Sequence, residues 1–305
     1  MKIGILSFRA LSKKAAVEEL RLKKAILAMG HKAKIFRSGR VQLVYDGTGR
    51  RLMYDGKLFP RYDVIITRPT VLRDVDLNVS IVKQIELMGI PVFNRYDAII
   101  RAKNKLKSLQ IFDHYNIPIP KTVAIRSPAY IDLAIEACGG LPVIVKSPFG
   151  SYGAGVTIVE SKRALKSMLD WESSNIYMIQ EFVKFSKGKD IRVFVVGGKV
   201  VGTMMRSAQK GEFRSNIELG GKGTPINITD EEKEISLKAV QALDLDYGGV
   251  DILRSKEGPV VLEVNSNPGF KALEAATSVD IAKAVVEFAV EFARNRTPVF
   301  ASNGD

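Results

Sequence analysis

The sequence predicts an α/β domain followed by two α+β segments. Three observations carry that expectation. Strands and helices alternate over the first part of the chain, up to about residue 95. Beyond it, short apolar strands pair across Gly- and Pro-containing turns, with helices between the pairs. The chain has 305 residues, 46% of them hydrophobic, more than one ordinary core accommodates, so two or three domains are expected.

In order, Lys2 to Ser7 reads as an apolar strand. A helical pattern runs from Ser12 to Met29, with Gly30 as its stop signal. KAKIF is a second strand, and VQLVYDGTGRRLMYDGKLF reads as hairpins with Asp-Gly turns. Asp63 to Arg68 is a third strand, Asp74 to Met88 a helix and PVFN a strand. These elements predict an open α/β domain over residues 1–95. The turn after its first strand, Ser7-Phe8-Arg9, lacks a G-x-G-x-x-G pattern, so no dinucleotide site is expected there.

A second lobe is expected over 96–185. It opens with one helix over 97–115, which Pro118 and Pro120 follow. KTVAI is a strand, Pro128 to Cys138 a helix ended by Gly139-Gly140, LPVIVKSP a strand, SYGAG a turn and VTIV a strand. A helix from Ser161 to Asp170 and the strand YMIQEFV complete it. The third segment, 186–305, begins with the strand pair IRVFVVGGKVVGTMMRSA. A polar Gly-rich stretch, a helix from Asp230 to Leu243, a hairpin and a helix from Ser278 to Arg294 follow.

No apolar run reaches the ~18 residues of a membrane span, and the N-terminus lacks the features of a signal peptide. Cys138 is the one cysteine; it suits a reducing cytoplasm and reads as packed rather than reactive. Two histidines, His31 and His114, exclude a His-rich metal site. The formal net charge of +13 favours anionic partners: nucleotides, acidic peptides, nucleic acid or membrane surfaces.

The most informative stretch is GGVDILRSKEGPVVLEVNSNPGF, from Gly248 to Phe270. It reads as two strands joined by a Ser-Lys-Glu-Gly-Pro turn. Strand side chains alternate between faces, so Glu263 and Asn265 share one face and Val264 takes the other. Pairing would bring Asp251 opposite them. Buried carboxylates need compensation, which a hard cation such as Mg2+ or a Lys or Arg side chain can supply. Lys146, in VIVKSP, is either a phosphate partner or an edge lysine reaching water. FGSYGAGV exposes backbone N–H groups as a phosphate site needs, but is not a Walker loop. Lys105 is either a phosphate ligand or part of a solvated basic run. QEFV offers an apolar edge for a nucleotide base. Arg192, Arg206, Arg214 and Asn216 would form an anion clamp if they converge.

In this order, RAKNKL, VIVK, FGSYGAGV, QEFV, DIRVFVVGG, GEFRSN, GGVDILR and LEVNSNPGF resemble the ATP-grasp superfamily, and within it the RimK-type α-L-glutamate ligases. The resemblance covers essentially the whole chain. It implies an ATP-grasp fold: a pre-ATP-grasp α/β domain and two lobes gripping ATP. It implies a ligase in which a carboxylate takes the γ-phosphate of ATP and an amine then displaces phosphate to form an amide. By position, Lys105 and Lys146 correspond to lysines on the ATP phosphates. Ser151 and Gly153 lie in the loop covering them. Glu181, Phe182 and Val183 correspond to the hinge that receives adenine. Asp190, Arg192, Arg214, Ser215 and Asn216 supply further nucleotide contacts, and Arg206 and Arg214 act near the acyl phosphate. Asp251, Glu263 and Asn265 correspond to ligands of two Mg2+ ions, with Mn2+ as an alternative. The partners implied are L-glutamate and an acidic, glutamate-ended acceptor, such as a ribosomal protein tail or polyglutamate. A homo-oligomer in the cytoplasm, with no membrane contact, completes the expectation. Relatives act on small coenzymes or on carrier-bound amino acids. A basic, non-catalytic RNA-associated protein is the alternative of another class, though no RNA-recognition signature is present.

Overall fold

The computed structural model describes residues 1–47, 51–70, 74–148, 155–170 and 176–295. The first ninety or so residues form β1 (Lys2–Ser7), α1 (Val17–Ala28), β2 (Lys32–Arg37), β3 (Val41–Val44), β4 (Arg51–Tyr54), β5 (Lys57–Leu58), β6 (Val64–Arg68), α2 (Val75–Leu87) and β7 (Val92–Phe93). A parallel sheet in the order β2-β1-β6-β7 is their frame. Its inner strands β1 and β6 are apolar and buried, as strands covered on both faces are, whereas the edge strand β2 leaves Lys32 and Lys34 exposed. The expected hairpins form a separate antiparallel sheet, β3-β4-β5. Its Asp55-Gly56 turn has positive φ at both residues, 52° and 72°, as a two-residue hairpin turn requires. Helix α1 is shorter than the Ser12–Met29 periodicity predicts. Arg37 donates to the carbonyls of Arg9, Ala10 and Lys13 at 3.2, 2.5 and 2.8 Å. These bonds tie the segment before α1 to β2 as a loop.

Next come α3 (Tyr96–Lys103), α4 (Lys105–His114), β8 (Thr122–Ile125), α5 (Ile131–Ala137), β9 (Val143–Lys146), β10 (Val156–Val159), α6 (Lys162–Asp170) and β11 (Tyr177–Glu181). The helix expected over 97–115 is in fact two. Asn104 is extended, and its Oδ1 accepts from the backbone N–H groups of Leu106 and Lys107 at 3.1 and 3.2 Å. Asparagine satisfies orphan helix donors better from a cap than from a helix interior. The antiparallel sheet β10-β9-β11-β8 has its own core, which includes Ile131, Val143, Val145, Leu165 and Ile179. Helices α3 and α4 do not join it. Their Ala98 and Phe112 pack instead with Val193, Val250 and Val264 of the following sheet.

The last part holds β12 (Lys189–Val196), β13 (Lys199–Ser207), β14 (Lys222–Pro225), α7 (Asp230–Ala242), β15 (Tyr247–Ser255), β16 (Gly258–Asn265), α8 (Lys271–Thr277) and α9 (Ile281–Asn295). The strands form an antiparallel sheet, β14-β13-β12-β15-β16. Helix α8 is an element that the sequence pattern did not announce; Ser278, with φ 59°, ends it. Ile3, Ile5 and Leu22 share one core with Phe194, Tyr247 and Val286, so the N-terminal sheet and the last sheet are packed as a unit. Asn94 fastens that unit. Its Nδ2 donates to the carbonyls of Tyr247 and Ser266 at 2.8 and 3.0 Å, and its Oδ1 accepts from the N–H groups of Asp246 and Tyr247 at 2.8 and 3.0 Å. A buried amide with all four valences used fixes the ends of β15 and β16 against the first domain. Among the described residues, no helix is long and apolar enough to cross a membrane.

Candidate functional site

The site is built on the β15–β16 pair. Asp251 stands opposite Glu263, and Gly249 opposite Asn265. Val250 and Val264 turn into the core behind them. The alternation expected for Glu263, Val264 and Asn265 therefore holds. A bulge follows Asp251, since Ile252 pairs with Val261 and leaves Leu262 extra. The extra residue brings Leu262 to the same cleft as Glu263. Gly249 admits close neighbours: a Cβ there would lie 2.6 Å from Pro268 and 3.2 Å from Arg192.

Strand order supplies the cations. β12 lies between β13 and β15, with Arg192 opposite Asp251 and Asp190 opposite Arg206. Arg192 clamps Asp251 through Nε and, at 3.0 Å, through Nη2. Arg206 donates to both oxygens of Asp190 at 2.6 Å and lies 2.7 Å from Asp251 Oδ2. Ser215 Oγ donates to Asp190 at 2.5 Å. All four charged side chains are buried. Burial works against the charge on Asp251, but Arg192 and Arg206 overcome it and hold that carboxyl below its ordinary range. Burial pushes Asp190 up, with Arg206 opposing. Of the two compensations open to Asp251, the arginine partner is the one seen.

Glu263 has different surroundings. Its side chain is 31% exposed, with Lys105 Nζ at 3.9 Å and Asn265 Nδ2 at 3.2 Å. Lys146 is buried in β9. Burial pushes its amine down to about 8, with Glu263 acting in the opposite sense. Lys105 opens α4, and its N–H donates to Pro148 O at 3.0 Å, beside the end of β9.

These residues line an open cleft between the β8–β11 sheet and the last sheet, about 880 Å³ with its solvent-filled mouth included. The cleft gathers Lys105, Lys146, Glu181, Phe182, Val183, Asp190, Arg206, Arg214, Ser215, Asn216, Asp251 and Glu263. Arg214 bonds Glu212 at 3.1 and 2.7 Å, and that bond is the main cause holding the Glu212 carboxyl down to about 2. Ser151 and Gly153 lie outside the described residues. Arg192 and Asn265 are elsewhere: they line a second cleft of about 1160 Å³, with Glu18, Thr70, Lys103, Glu218, Asn267 and Lys271. Arg206, Asn216 and Glu263 line both clefts, so the two meet there.

Sequence reasoning missed the apolar walls of the first cleft, Ile144, Val156, Leu253 and Leu262. Ile144 was reachable, because it lies two residues before Lys146 and therefore on the same strand face. Leu262 was not, because its direction depends on the bulge. Among the described residues, no group of three His, Cys, Asp or Glu side chains is arranged to hold a metal. A cation at the hairpin would rely on the Asn265 amide beside the carboxylates.

Comparison with known proteins matches residues 1–99 to the RimK PreATP-grasp domain and residues 102–289 to the RimK-like ATP-grasp domain. A protein of Coxiella burnetii named probable alpha-L-glutamate ligase is 41% identical, over 99% of this chain and 98% of its own length. A protein of the same name in Vibrio vulnificus is 37% identical, over 97% and 99%. The solved structure of the ATP-grasp ligase PsnB complexed with a minimal precursor superposes with a TM-score of 0.76. It is 19% identical and covers 95% of this chain and 98% of that one.

Proposed function

This chain belongs to the RimK-like ATP-grasp family, and from that premise we propose that it joins L-glutamate by an α-peptide bond to the C-terminal glutamate of an acidic acceptor. The acceptor is a protein tail, such as that of a ribosomal protein, or a growing polyglutamate chain. The observation that carries the reading is the meeting of two clefts at Arg206, Asn216 and Glu263. One side suits a nucleotide, the other an acceptor, and phosphoryl transfer needs the two in line. The names of the curated relatives, matched over nearly their full length, support glutamate as the amine.

In the first step an oxygen of the acceptor carboxylate attacks the γ-phosphorus of ATP. The bond from that phosphorus to the β-γ bridging oxygen breaks, and ADP leaves. The glutamate amine then attacks the acyl carbon, the carbon–oxygen bond to phosphate breaks, phosphate leaves and the amine loses a proton. Phe182, Val183 and the apolar walls would hold the base. Lys105 and Lys146 oppose phosphate charge; in a buried site this acts more strongly than in water. Arg206, oriented by Asp190 and Asp251, faces the junction where the acyl phosphate forms.

The hairpin fits a hard cation in part. Glu263 is open, and Asn265 can offer an amide oxygen. Asp251 already faces four N–H donors, Arg192 Nε and Nη2, Arg206 Nη2 and, at 3.5 Å, Asn265 Nδ2, about as many as a carboxylate can take, so it would reach a cation only where one of them gave way. Mg2+, or Mn2+ in its place, as one ion or two, would draw charge from the phosphates when bound there. ATP and the reduced Cys138 suit the cytoplasm.

Incubation with ATP, Mg2+, glutamate and a glutamate-ended peptide should release ADP and phosphate and build a ladder of added glutamates visible by mass spectrometry. No ADP release with any acidic acceptor would overturn the reading.

A further inference from the structure

The ligase reading leaves the charge distribution unused. Residues 1–62 contain 15 Lys and Arg against 4 Asp and Glu, a net +11 of the chain's +13. The nucleotide cleft lies in the later part of the chain, so this excess is not there for ATP. Four of these cations, Arg9, Lys13, Lys14 and Arg37, lie at or just beyond the carboxyl ends of β1 and β2. In register, Ser7 at the end of β1 stands opposite Arg37 of β2 and Arg68 of β6. The three carbonyls bound by Arg37 and the bond from Arg9 Nε to Lys14 O, at 3.1 Å, fix the loop after β1. That loop presents Lys13 and Lys14 to solvent.

Both ends of this basic rim lead to the second cleft. The loop runs into the first turn of α1, where Glu18 lines the cleft. Arg68 donates to the carbonyl of Pro268 at 3.1 Å, and Pro268 is also part of the cleft wall. Inside the cleft, Lys103 forms no ion pair among the described residues.

We propose that the rim and the second cleft form a docking track for an acidic acceptor chain. The C-terminal residue of that chain enters the cleft with a carboxylate at Lys103, and the preceding carboxylates follow the rim past Lys13 and Lys14. This rests on the ligase reading and names the partner surface that serves it. Ligands of open α/β sheets bind outside the carboxyl ends of the strands, and the basic rim leading to the cleft concentrates an oppositely charged chain. The carboxylates of Glu18 and Glu218 on the cleft walls suit the ammonium of the incoming glutamate. A peptide end can enter a cleft that closes on Arg206 and Glu263, whereas a nucleic-acid duplex cannot.

The test measures binding of fluorescent oligoglutamate and of glutamyl-glutamate to the full chain, without ATP. Wild type should bind the longer peptide more tightly, with steep salt dependence. The double variant Lys13→Glu/Lys14→Glu should weaken the longer peptide about tenfold and erase its advantage over the shorter one. ATP affinity and melting temperature are the controls for folding. Lys103→Met should raise the KM for glutamyl-glutamate far more than it lowers kcat, and Lys103→Arg should restore it. Equal oligoglutamate binding by wild type and the double variant would overturn the track, as would an RNA oligomer outcompeting the peptide on the same lysines. Because binding is read without turnover, failure of the track and failure of ligation are separate results.

Discussion

Asp251 and Glu263 face one another across a single strand pair, and their surroundings are opposite. The side chain of Asp251 is 2% exposed and held by two arginines. That of Glu263 is 31% exposed and has a lysine at 3.9 Å. Strand order makes the difference. β15 is interior, with β12 laying Arg192 beside Asp251, whereas β16 is the edge of its sheet and opens onto the clefts. A matched pair of carboxylates is thereby divided into one that holds the floor and one that is available to a ligand.

Removing each in turn should break the pair apart. Asp251→Ala leaves two buried guanidinium groups without that partner and should cost about 3–5 kcal/mol in urea unfolding. Glu263→Ala removes a half-open contact and should change stability by less than about 1 kcal/mol, while ADP release falls about 10²–10³-fold, as expected if this carboxylate anchors the cation that opposes the transferring charge. Equal stability losses would show that burial does not separate their roles. Retained turnover in Glu263→Ala would remove Glu263 from the chemistry.

Acid should sharpen the contrast. The folded-state pKa of Asp251 is lowered from 3.8, so the folded state binds its proton less readily than the unfolded chain. The stability from that carboxylate is fully present above 3.8 and is lost as pH falls below it, through the folded value. The stability difference between wild type and Asp251→Asn should be constant from neutrality down to that point and shrink below it. Urea curves at a series of pH values check this. A difference that stays constant into stronger acid would mean that Asp251 is not held by its arginines.

Local periodicity made much of this legible. Glu263 and Asn265 on one face, Val264 on the other and Asp251 across the pair all follow from a two-residue repeat. The parallel first sheet follows from regular alternation. What local pattern could not reach is set by neighbours distant in sequence. Nothing around Asp251 announces Arg192, because β12 joins β15 only after α7 has intervened. The bulge at Leu262 leaves no compositional mark, and α8 follows a Ser-Asn-Pro-Gly run that reads as a turn. The convergence of Lys105 and Lys146 with Glu263 was implied by family resemblance alone, since two or more elements separate them along the chain.

Asn104 is the instructive miss, because its own chemistry was in view. Apolar spacing runs on through 97–115, and the periodicity outweighed a residue that prefers to cap. The break sets where Lys105 begins α4, and Lys105 is the cation nearest Glu263. Asn104→Ala removes the acceptor for two N–H groups and should cost about 1 kcal/mol. It should also let the first turn of α4 fray, raising the KM for ATP a few-fold with kcat little changed. If stability fell while the KM for ATP did not move, the cap would serve the helix alone. The position of Lys105 against Glu263 would then rest on its backbone bond to Pro148.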